Sequence, residues 1–503
     1  MTQSPEAVAV APVRKSRFPK AVPFIIGNEA AERFSYYGLR SILATFLVAE
    51  FYNPHKIAGL VEKATAQANE KTHLFVALSY FMPLLGGLAA DWFFGKYRVI
   101  LWISLVYCLG NVFTSSFTTS LPLFSTGLVL IAIGAGGIKS CVSANVGDQF
   151  DKSNQDLLSK VYGWFYFSIN AGSMVSTMLI PWAYANFGPA IAFGIPGVLM
   201  LLATIIFFSG RKMYVKVPPG GVNKNNFVFI SIYALFNAGK KQKGESLLDV
   251  AKGKFDPEKV EGIKAVWRVM FVFFFALGFW AVWDQNLSEW VLQLENMDRT
   301  VNLGFVKFTM YPGQVQTFNP IFLLLFIPLF SYWIYPKLEN TRFKATPLRR
   351  FGAGLILTAL SFVIIALVQA KIDTGGHPSF WWQVLAYVVL SAAEVLVSIT
   401  GLEYAYTHSP KSMKSTMTAV WLMVVAVGNL ITAWVNGKIA EGGYFATHLK
   451  GANYYWYFDV CFILVFTVAF LIVSPYIKER NYIENPDDDI AGHNKIVADT
   501  DNL

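Results

Sequence analysis

The sequence predicts an all-α membrane protein with twelve transmembrane helices. Of its 503 residues, 54% are hydrophobic, 16% are aromatic and only 15% are charged, whereas roughly 25% are charged in an ordinary soluble domain. The chain also contains twelve apolar stretches that approach the length of about 20 residues needed for a helix to cross a bilayer. This composition excludes a soluble enzyme and a disordered scaffold.

The distribution of basic residues predicts that both termini are cytoplasmic. The chain has 41 Lys and Arg against 32 Asp and Glu, a net charge of +9. With the amino terminus inside, 29 of the basic residues fall in inside loops and tails and 8 in outside loops, which agrees with the positive-inside rule. The excess positive charge is therefore explained by cytoplasmic loops and does not indicate nucleic-acid binding.

The predicted spans form two groups of six. They are 22–50, 73–94, 99–118, 121–145, 159–185 and 189–210, then 265–293, 316–336, 348–370, 380–405, 415–438 and 454–476. The predicted domains are a cytoplasmic tail (1–21), a six-helix bundle (22–210), a cytoplasmic linker (211–264), a second six-helix bundle (265–478) and a cytoplasmic tail (479–503). Within the linker, the apolar run Phe227 to Ala238 is too short to span and predicts an interfacial amphipathic helix. Two six-helix halves joined in this way are the architecture of a major facilitator transporter, whose binding site lies between the halves near the midplane.

The first span carries one stripe of ionisable side chains. Its members lie at offsets of 0, 3, 4, 7, 8 and 11 residues, which places them on one face of a helix: Glu29, Glu32, Arg33, Tyr36, Tyr37 and Arg40. A charge at the bilayer centre costs at least about 2.5 kcal/mol, so charges inside a span indicate function by default. The alternative is a buried ion-pair ladder with a structural role.

Other spans supply possible partners for these charges. Lys139 has no acidic neighbour on its own predicted helix, so its counterion is expected to be a carboxylate from another helix. Asp284 and Glu394 interrupt apolar runs in the second half. Asn170 and Asn319 are amides in apolar surroundings and should bind a partner or a ligand.

Composition alone does not decide the role of three further ionisable residues. His73 lies at the predicted outer end of the second span and is either a proton acceptor or an ordinary interfacial histidine. For Glu289 and Glu403, a solvated or interfacial role is as consistent with the sequence as a functional one. The three cysteines, Cys108, Cys141 and Cys461, lie in separate apolar runs and predict neither a disulfide framework nor a metal site.

The opposed charges of the two halves predict a zwitterionic ligand with separated ends. The first half offers Arg33, Arg40 and Lys139, and the second offers Asp284 and Glu394. Aromatic side chains are expected to form walls that accept varied groups between those ends; the candidates are Tyr36, Tyr37, Tyr80, Trp280 and Trp421.

Three motifs make the chain resemble the proton-dependent oligopeptide transporter family of the major facilitator superfamily. Glu29 to Gly38 is similar to its ExxERFxYYG motif, Gly86 to Arg98 to its loop motif after the second span, and Phe165 to Gly172 to its FYxxINxG signature. The resemblance implies symport of di- and tripeptides with protons, driven by the proton gradient without a cofactor, by a monomer in the plasma membrane.

The resemblance also implies roles for individual residues. The implied peptide-binding residues are Arg33, Arg40, Tyr36, Tyr37, Tyr80, Lys139, Asn170, Trp280, Asn319, Glu394, Ser398 and Trp421. The implied proton-coupling and gating residues are Glu29, Glu32, Arg33, His73, Lys139, Asp284 and Glu394. Arg40 with Asp284 resembles an outer gate pair, and Lys139 with Glu394 an inner one. Which of Glu29 and Glu32 carries the proton stays open, because interacting sites titrate together.

Two features indicate which branch of this family the chain resembles. His73 resembles the histidine of the animal intestinal peptide transporters, which favours a proton role. The chain lacks their large outer domain between the ninth and tenth spans, which predicts a bacterial protein of the inner membrane. The seventh-span acid is Asp284, where many bacterial members have Glu, and this leaves its coupling detail open.

Other functions fit the residues less well. A relative that carries another anion, such as nitrate, does not need the acidic stripe of Glu29 and Glu32. A channel does not need opposed charges in two halves. An enzyme is not predicted, because the sequence contains no metal-ligand cluster, nucleophile elbow or phosphate loop.

Overall fold

The computed structural model describes residues 18–150, 154, 157–221, 226–302, 304, 307–410 and 413–477. The predicted tails 1–21 and 479–503 therefore lie largely or wholly outside the described residues. The helices are α1 (Val22–Phe46), α2 (Val61–Ala89), α3 (Lys96–Ser116), α4 (Leu121–Gly147), α5 (Leu158–Phe187), α6 (Pro189–Ser209), α7 (Phe227–Phe236), α8 (Pro257–Trp283), α9 (Glu289–Leu294), α10 (Phe318–Leu329), α11 (Tyr335–Glu339), α12 (Pro347–Asp373), α13 (Trp381–Glu394), α14 (Thr400–Thr407), α15 (Lys414–Glu441), α16 (Tyr444–His448) and α17 (Phe462–Val473).

Several of these helices continue through short segments of different pitch. π-Helical turns cover Leu47–Tyr52, Ala90–Phe94, Phe330–Ile334, Val395–Ile399 and Tyr454–Cys461, and 3₁₀ turns include Leu247–Gly253, Asp284–Leu287 and Pro312–Thr317. As a result α10 with α11, and α13 with α14, each form one long, locally widened helix.

Ten helical segments within the described residues are long and apolar enough to cross a membrane. Helices α1 and α5, with 25 and 30 residues, are also long enough but are not among the ten. Four charged side chains make α1 less apolar: Glu29, Glu32, Arg33 and Arg40. The chain is thus a multi-pass helical protein, and the count of twelve spans stays a prediction.

Two helices begin earlier than the sequence predicted. Helix α2 begins at Val61 instead of residue 73, because the polar stretch 61–72 is rich in Ala, Glu and Lys, which favour helix although they are not apolar. Helix α8 begins at Pro257 instead of residue 265. There the Asp256 carboxylate accepts a hydrogen bond from the Glu258 N–H at 3.0 Å, and Pro257 occupies the first helical position, where proline is favoured.

The linker between the halves is partly helical and packs on α8. The predicted amphipathic segment forms α7, which starts where the Asn226 side chain accepts a hydrogen bond from the Phe229 N–H at 3.0 Å. Farther along, Lys264 of α8 lies 2.5 Å from the Asp249 carboxylate of the linker.

One element was absent from the all-α prediction. Strands β1 (Thr300–Asn302) and β2 (Lys307–Thr309) pair in antiparallel register, Val301 opposite Phe308, in the connection between α9 and α10. Three-residue strands are too short to show an alternating pattern in a sequence.

Helices α1–α6 surround one hydrophobic core, and helices α8–α17 surround a second one. We call the end of the bundle at which α1 begins the N-side and the opposite end the far side. At the far side, Gln314 donates a hydrogen bond to the Met178 carbonyl at 2.9 Å, and the hydroxyls of Thr177 and Thr317 lie 2.9 Å apart. Gly313 lies so close to the Ser41 carbonyl that a Cβ would not fit. These contacts join the two halves at the far side.

Candidate functional site between the two helical halves

The charges of α1 form a compact triad. The Arg33 Nε lies 2.7 Å from a Glu29 carboxylate oxygen and 3.2 Å from a Glu32 oxygen, and all three side chains are almost fully buried. Arg33 therefore contacts two carboxylates that are one helical turn apart but can neutralise only one of them, and a proton on either acid would make the triad neutral.

A second ion pair joins the two halves. The Arg40 Nη2 of α1 lies 2.8 Å from the Asp284 Oδ1 at the end of α8, and both side chains are 1% exposed. The other Asp284 oxygen accepts a hydrogen bond of 2.6 Å from the Asn429 side chain of α15. The predicted outer gate residues are thus in direct contact in this structure.

His73 belongs to the same network. It is fully buried in the body of α2, and not at an outer end, because α2 extends twelve residues beyond the predicted span. One ring nitrogen lies 2.8 Å from Asn429 Oδ1 and the other 3.0 Å from Ser288 Oγ. His73 of the first half is therefore connected to Asp284 of the second half through Asn429.

The hydrogen bonds assign the protonation of the imidazole. The Asn429 amide donates both to Asp284 and, at 3.0 Å, to the Val425 carbonyl, so its Oδ1 is an acceptor. The His73 Nδ1 must then carry a proton, and in the neutral ring Nε2 accepts from the Ser288 hydroxyl. The Ser288 hydroxyl can accept as well as donate, so it can also be the partner of a proton at Nε2.

Lys139 lies against aromatic rings of its own half. Its Nζ is 4.0 Å from the centroid of the Tyr80 ring and 5.1 Å from that of Tyr36. Within the described residues it forms no ion pair, so the predicted inner pair with Glu394 is not formed. The ammonium group instead lies over the faces of the two tyrosine rings, where a cation–π interaction takes the place of the ion pair.

Glu394 lies on the opposite half, at the end of α13. One of its carboxylate oxygens accepts a hydrogen bond of 2.8 Å from the Asn319 side chain, which also lies 3.1 Å from the Ser391 hydroxyl. Asn319 and Glu394 are thus brought together, although 75 residues separate them. Ser398 lies one turn farther, in the π-helical segment that follows.

Asn170 is not part of that contact. It is buried in α5, and its amide donates to the Tyr166 carbonyl of its own helix at 2.9 Å. Within the described residues, its side chain makes no hydrogen bond with Asn319 or Glu394.

The two predicted tryptophans of the second half pack on each other. The ring centroids of Trp280 and Trp421 are 6.1 Å apart with nearly perpendicular planes, and both side chains are buried. In the first half, Tyr36 and Tyr37 are 5.5 Å apart in an edge-to-face arrangement. Each half thus has an aromatic cluster, although packing alone also explains such pairs.

The sequence prediction missed three polar residues that the structure places in the site, Asn429, Ser288 and Ser391. Asn429 and Ser391 are small polar side chains within long apolar runs, a signal that also marked Asn170 and Asn319, whereas Ser288 lies in the polar stretch between Asp284 and Glu289. Glu289 and Glu403, whose roles the sequence left open, differ in their surroundings. Glu289 accepts hydrogen bonds from Asn69 and Tyr455 in the interior, whereas Glu403 is exposed and pairs with Arg350 at 3.0 Å.

The chain is similar to known transporters in sequence. Residues 97–457 match the family model described as POT family (PTR2). Solute carrier family 15 member 2 of Rattus norvegicus is 37% identical over 409 residues, which cover 77% of this chain and 54% of that protein. Peptide transporter family 1 of Drosophila melanogaster is 40% identical over 381 residues, covering 72% of this chain and 49% of that protein. The chain spans about half the length of the curated relatives it matches.

Solved structures of POT family proteins superpose on this chain over most of their length. The crystal structure of an auto-inhibited POT family peptide transporter superposes with a TM-score of 0.83 at 33% identity, covering 92% of this chain and 98% of that chain. A POT family transporter solved in meso gives a TM-score of 0.82 at 35% identity, covering 92% and 99%.

Proposed function

The chain belongs to the POT family, and from this premise we propose that it is a proton-coupled symporter that imports di- and tripeptides by alternating access. The far side would be the outside of the cell and the N-side the cytoplasm, as the basic loops predict. The bacterial source, the inner membrane and the monomeric state remain predictions, and the sequence relatives reported above are animal proteins.

One observation carries the proposal: each half presents a charge of opposite sign without an ion-pair partner among the described residues. Lys139 of the first half lies over tyrosine rings, and Glu394 of the second half accepts a hydrogen bond from the neutral Asn319 amide. The carboxylate of a peptide would pair with the ammonium, and its amino end with Glu394. A zwitterion held in this way would connect the two halves, whereas a simple anion or a neutral solute would use only one of these groups.

Proton coupling would follow from charges that have two alternative partners. A base cannot satisfy an acid of the other half and a peptide carboxylate equally well, so protonating the acid frees the base for substrate. In this arrangement the Arg40–Asp284 contact closes the outside, and the separation of Lys139 from Glu394 corresponds to an open N-side. One elementary charge moved across 100 mV is worth ~2.3 kcal/mol, which corresponds to roughly 50-fold accumulation at ~1.4 kcal/mol per factor of ten.

The decisive test is uptake of labelled dialanine by proteoliposomes whose interior is alkaline and negative. We expect concentrative uptake that a protonophore abolishes and that tripeptides, but not free alanine, compete. Folded protein that takes up no peptide would contradict the proposal and favour a non-peptide substrate.

His73→Gln is expected to lose accumulation against a gradient while keeping peptide exchange. Glutamine retains a hydrogen-bonding side chain but cannot hold a second proton next to Ser288 and Asn429. Uptake and counterflow, measured over a range of external pH, separate the two activities. The control is His377→Gln, since His377 is exposed in a loop. Unchanged accumulation and pH dependence in His73→Gln would exclude His73 from coupling.

Glu394→Gln is expected to weaken uptake of peptides with a free amino end about tenfold or more, with a much smaller effect on N-acetylated peptides. The amide keeps the shape and a contact with Asn319 but removes the negative charge, and a charged hydrogen bond contributes about 1.5–3 kcal/mol. Competition constants of matched free and blocked peptides measure the difference. An equal loss for both substrates would show that Glu394 acts only in the structure.

A further inference from the structure

A narrow apolar groove lies on the outside of the first half, between α2, α3 and α4. Its volume is about 440 Å³, and its walls include Leu85, Ala89, Trp102 and Ile133. Its floor is closed where α2 and α4 approach each other: a Cβ on Gly86 would lie 2.7 Å from the Gly137 Cα. The groove is therefore built by glycine packing and is separate from the site between the halves.

The groove opens on the outer, lipid-facing surface of the first half and runs along α2. Trp102 is 64% exposed and Leu85 44% exposed, and both lie on helices that are apolar enough to span. The lining residues of α2 and its continuation run from Met82 to Phe94, a distance of about 18 Å at 1.5 Å per residue. One leaflet of hydrocarbon is roughly 15 Å deep, so the groove has the length of a lipid chain that enters from the N-side surface.

The mouth of the groove is basic. Arg98 lines it at the start of α3 and has no ion-pair partner in the part of the chain that the structure describes. Lys216 lies 4.3 Å from the ring of the adjacent Tyr97. The nearby Lys96 is neutralised by Asp148 at 2.8 Å, and Asp91 is a further carboxylate near the start of α3.

We propose that this groove binds one acyl chain of an anionic phospholipid, whose phosphate pairs with Arg98. The long apolar walls fit a hydrocarbon chain, and the unpaired guanidinium at headgroup level fits a phosphodiester, which it binds in bidentate fashion. The lipid would fill the space between α2, α3 and α4 beside the Gly86–Gly137 contact.

Native mass spectrometry of the detergent-purified chain tests the proposal. Phosphatidylglycerol, phosphatidylcholine and phosphatidylethanolamine with identical acyl chains are added separately. We expect one retained phosphatidylglycerol, bound about fivefold more tightly than phosphatidylcholine, because one basic residue near a membrane surface contributes ~1 kcal/mol of attraction for anionic lipid. Arg98→Gln should remove this preference, and Leu85→Trp should remove retention of all three lipids by filling the groove.

Matched controls separate the groove from general lipid contact. Arg342→Gln removes an exposed arginine of the other half, and Leu109→Trp adds the same bulk on a lipid-facing position of α3 outside the groove. Both should bind phosphatidylglycerol as the unmodified chain does. Ala89→Leu replaces Leu85→Trp if that variant unfolds at a lower temperature.

Four outcomes would overturn the proposal. Equal affinity for phosphatidylglycerol and phosphatidylcholine would exclude the Arg98 headgroup contact, and a preference for phosphatidylethanolamine would assign the mouth to Asp91. Full retention in both groove-filling variants would place the lipid elsewhere. A dimer that the groove-filling variants dissociate would identify a second copy of the chain as the occupant.

Discussion

Lys139→Ala is expected to abolish proton-driven peptide uptake and to leave the fold intact. The ammonium makes no ion pair within the described residues, and the buried Glu32 on which its charge acts keeps Arg33 at 3.2 Å after its removal. A peptide carboxylate, in contrast, would lose its cation in a partly desolvated site. Truncating one member of such a pair costs about 2–5 kcal/mol, or roughly 30-fold to several thousand-fold in affinity.

Two measurements check this expectation. Concentrative dialanine uptake should fall to the level seen with protonophore, while the unfolding temperature in detergent changes little. Lys212→Ala is the matched control, because Lys212 is an exposed lysine at the end of α6. Near-normal uptake by Lys139→Ala at matched expression would remove Lys139 from the mechanism.

Asp284→Ala is expected to cause the largest loss of stability among the charge variants and to abolish uptake. Arg40 is 1% exposed and would keep its charge without a carboxylate. Breaking a buried pair by removing one partner costs about 3–5 kcal/mol. Thermal unfolding in detergent should therefore shift downward by several degrees, and proteoliposome uptake should disappear.

An exposed pair provides the control for this prediction. Glu403→Ala breaks the Arg350–Glu403 contact of 3.0 Å, whose acid is 45% exposed. Exposed pairs contribute about 0–1 kcal/mol, so its unfolding temperature should hardly change. Similar stability losses in both variants would contradict the assignment of a strong buried pair.

A double variant separates stability from gating. Arg40→Met with Asp284→Leu replaces both charges by apolar side chains, and such replacements of buried pairs are often neutral or stabilising. We expect it to unfold at nearly the temperature of the unmodified chain and still to transport no peptide. Restored transport would mean that the pair is needed only for folding.

The sequence predicted the candidate residues better than their contacts. The stripe of Glu29, Glu32 and Arg33 is local, so helical spacing alone placed the three side chains together. The contact of Arg40 with Asp284 spans 244 residues, and only the family resemblance suggested it. The pairing of Lys139 with Glu394 came from the same resemblance, yet their side chains contact other groups in this structure.

Helix ends and small polar residues were the weakest part of the prediction. Counting apolar residues excluded the polar turns of α2 and placed His73 at an outer end, although helix propensity continues the helix to Val61. Asn429 was missed because a lone amide in an apolar run is common, and Ser288 because it is one of several polar residues between Asp284 and Glu289. The partner of each is visible only after the halves are packed.

The sequence by itself determined that the chain is a helical membrane protein, which family it resembles and which side chains carry charge inside the spans. These properties depend on composition, period and local motifs, which are readable along one helix. Only the tertiary structure decided that Arg40 is paired, that Lys139 faces tyrosine rings and that Asn429 connects His73 to Asp284. Such choices depend on how two halves of the chain meet, because a buried charge takes whichever partner the packed helices bring within hydrogen-bonding distance.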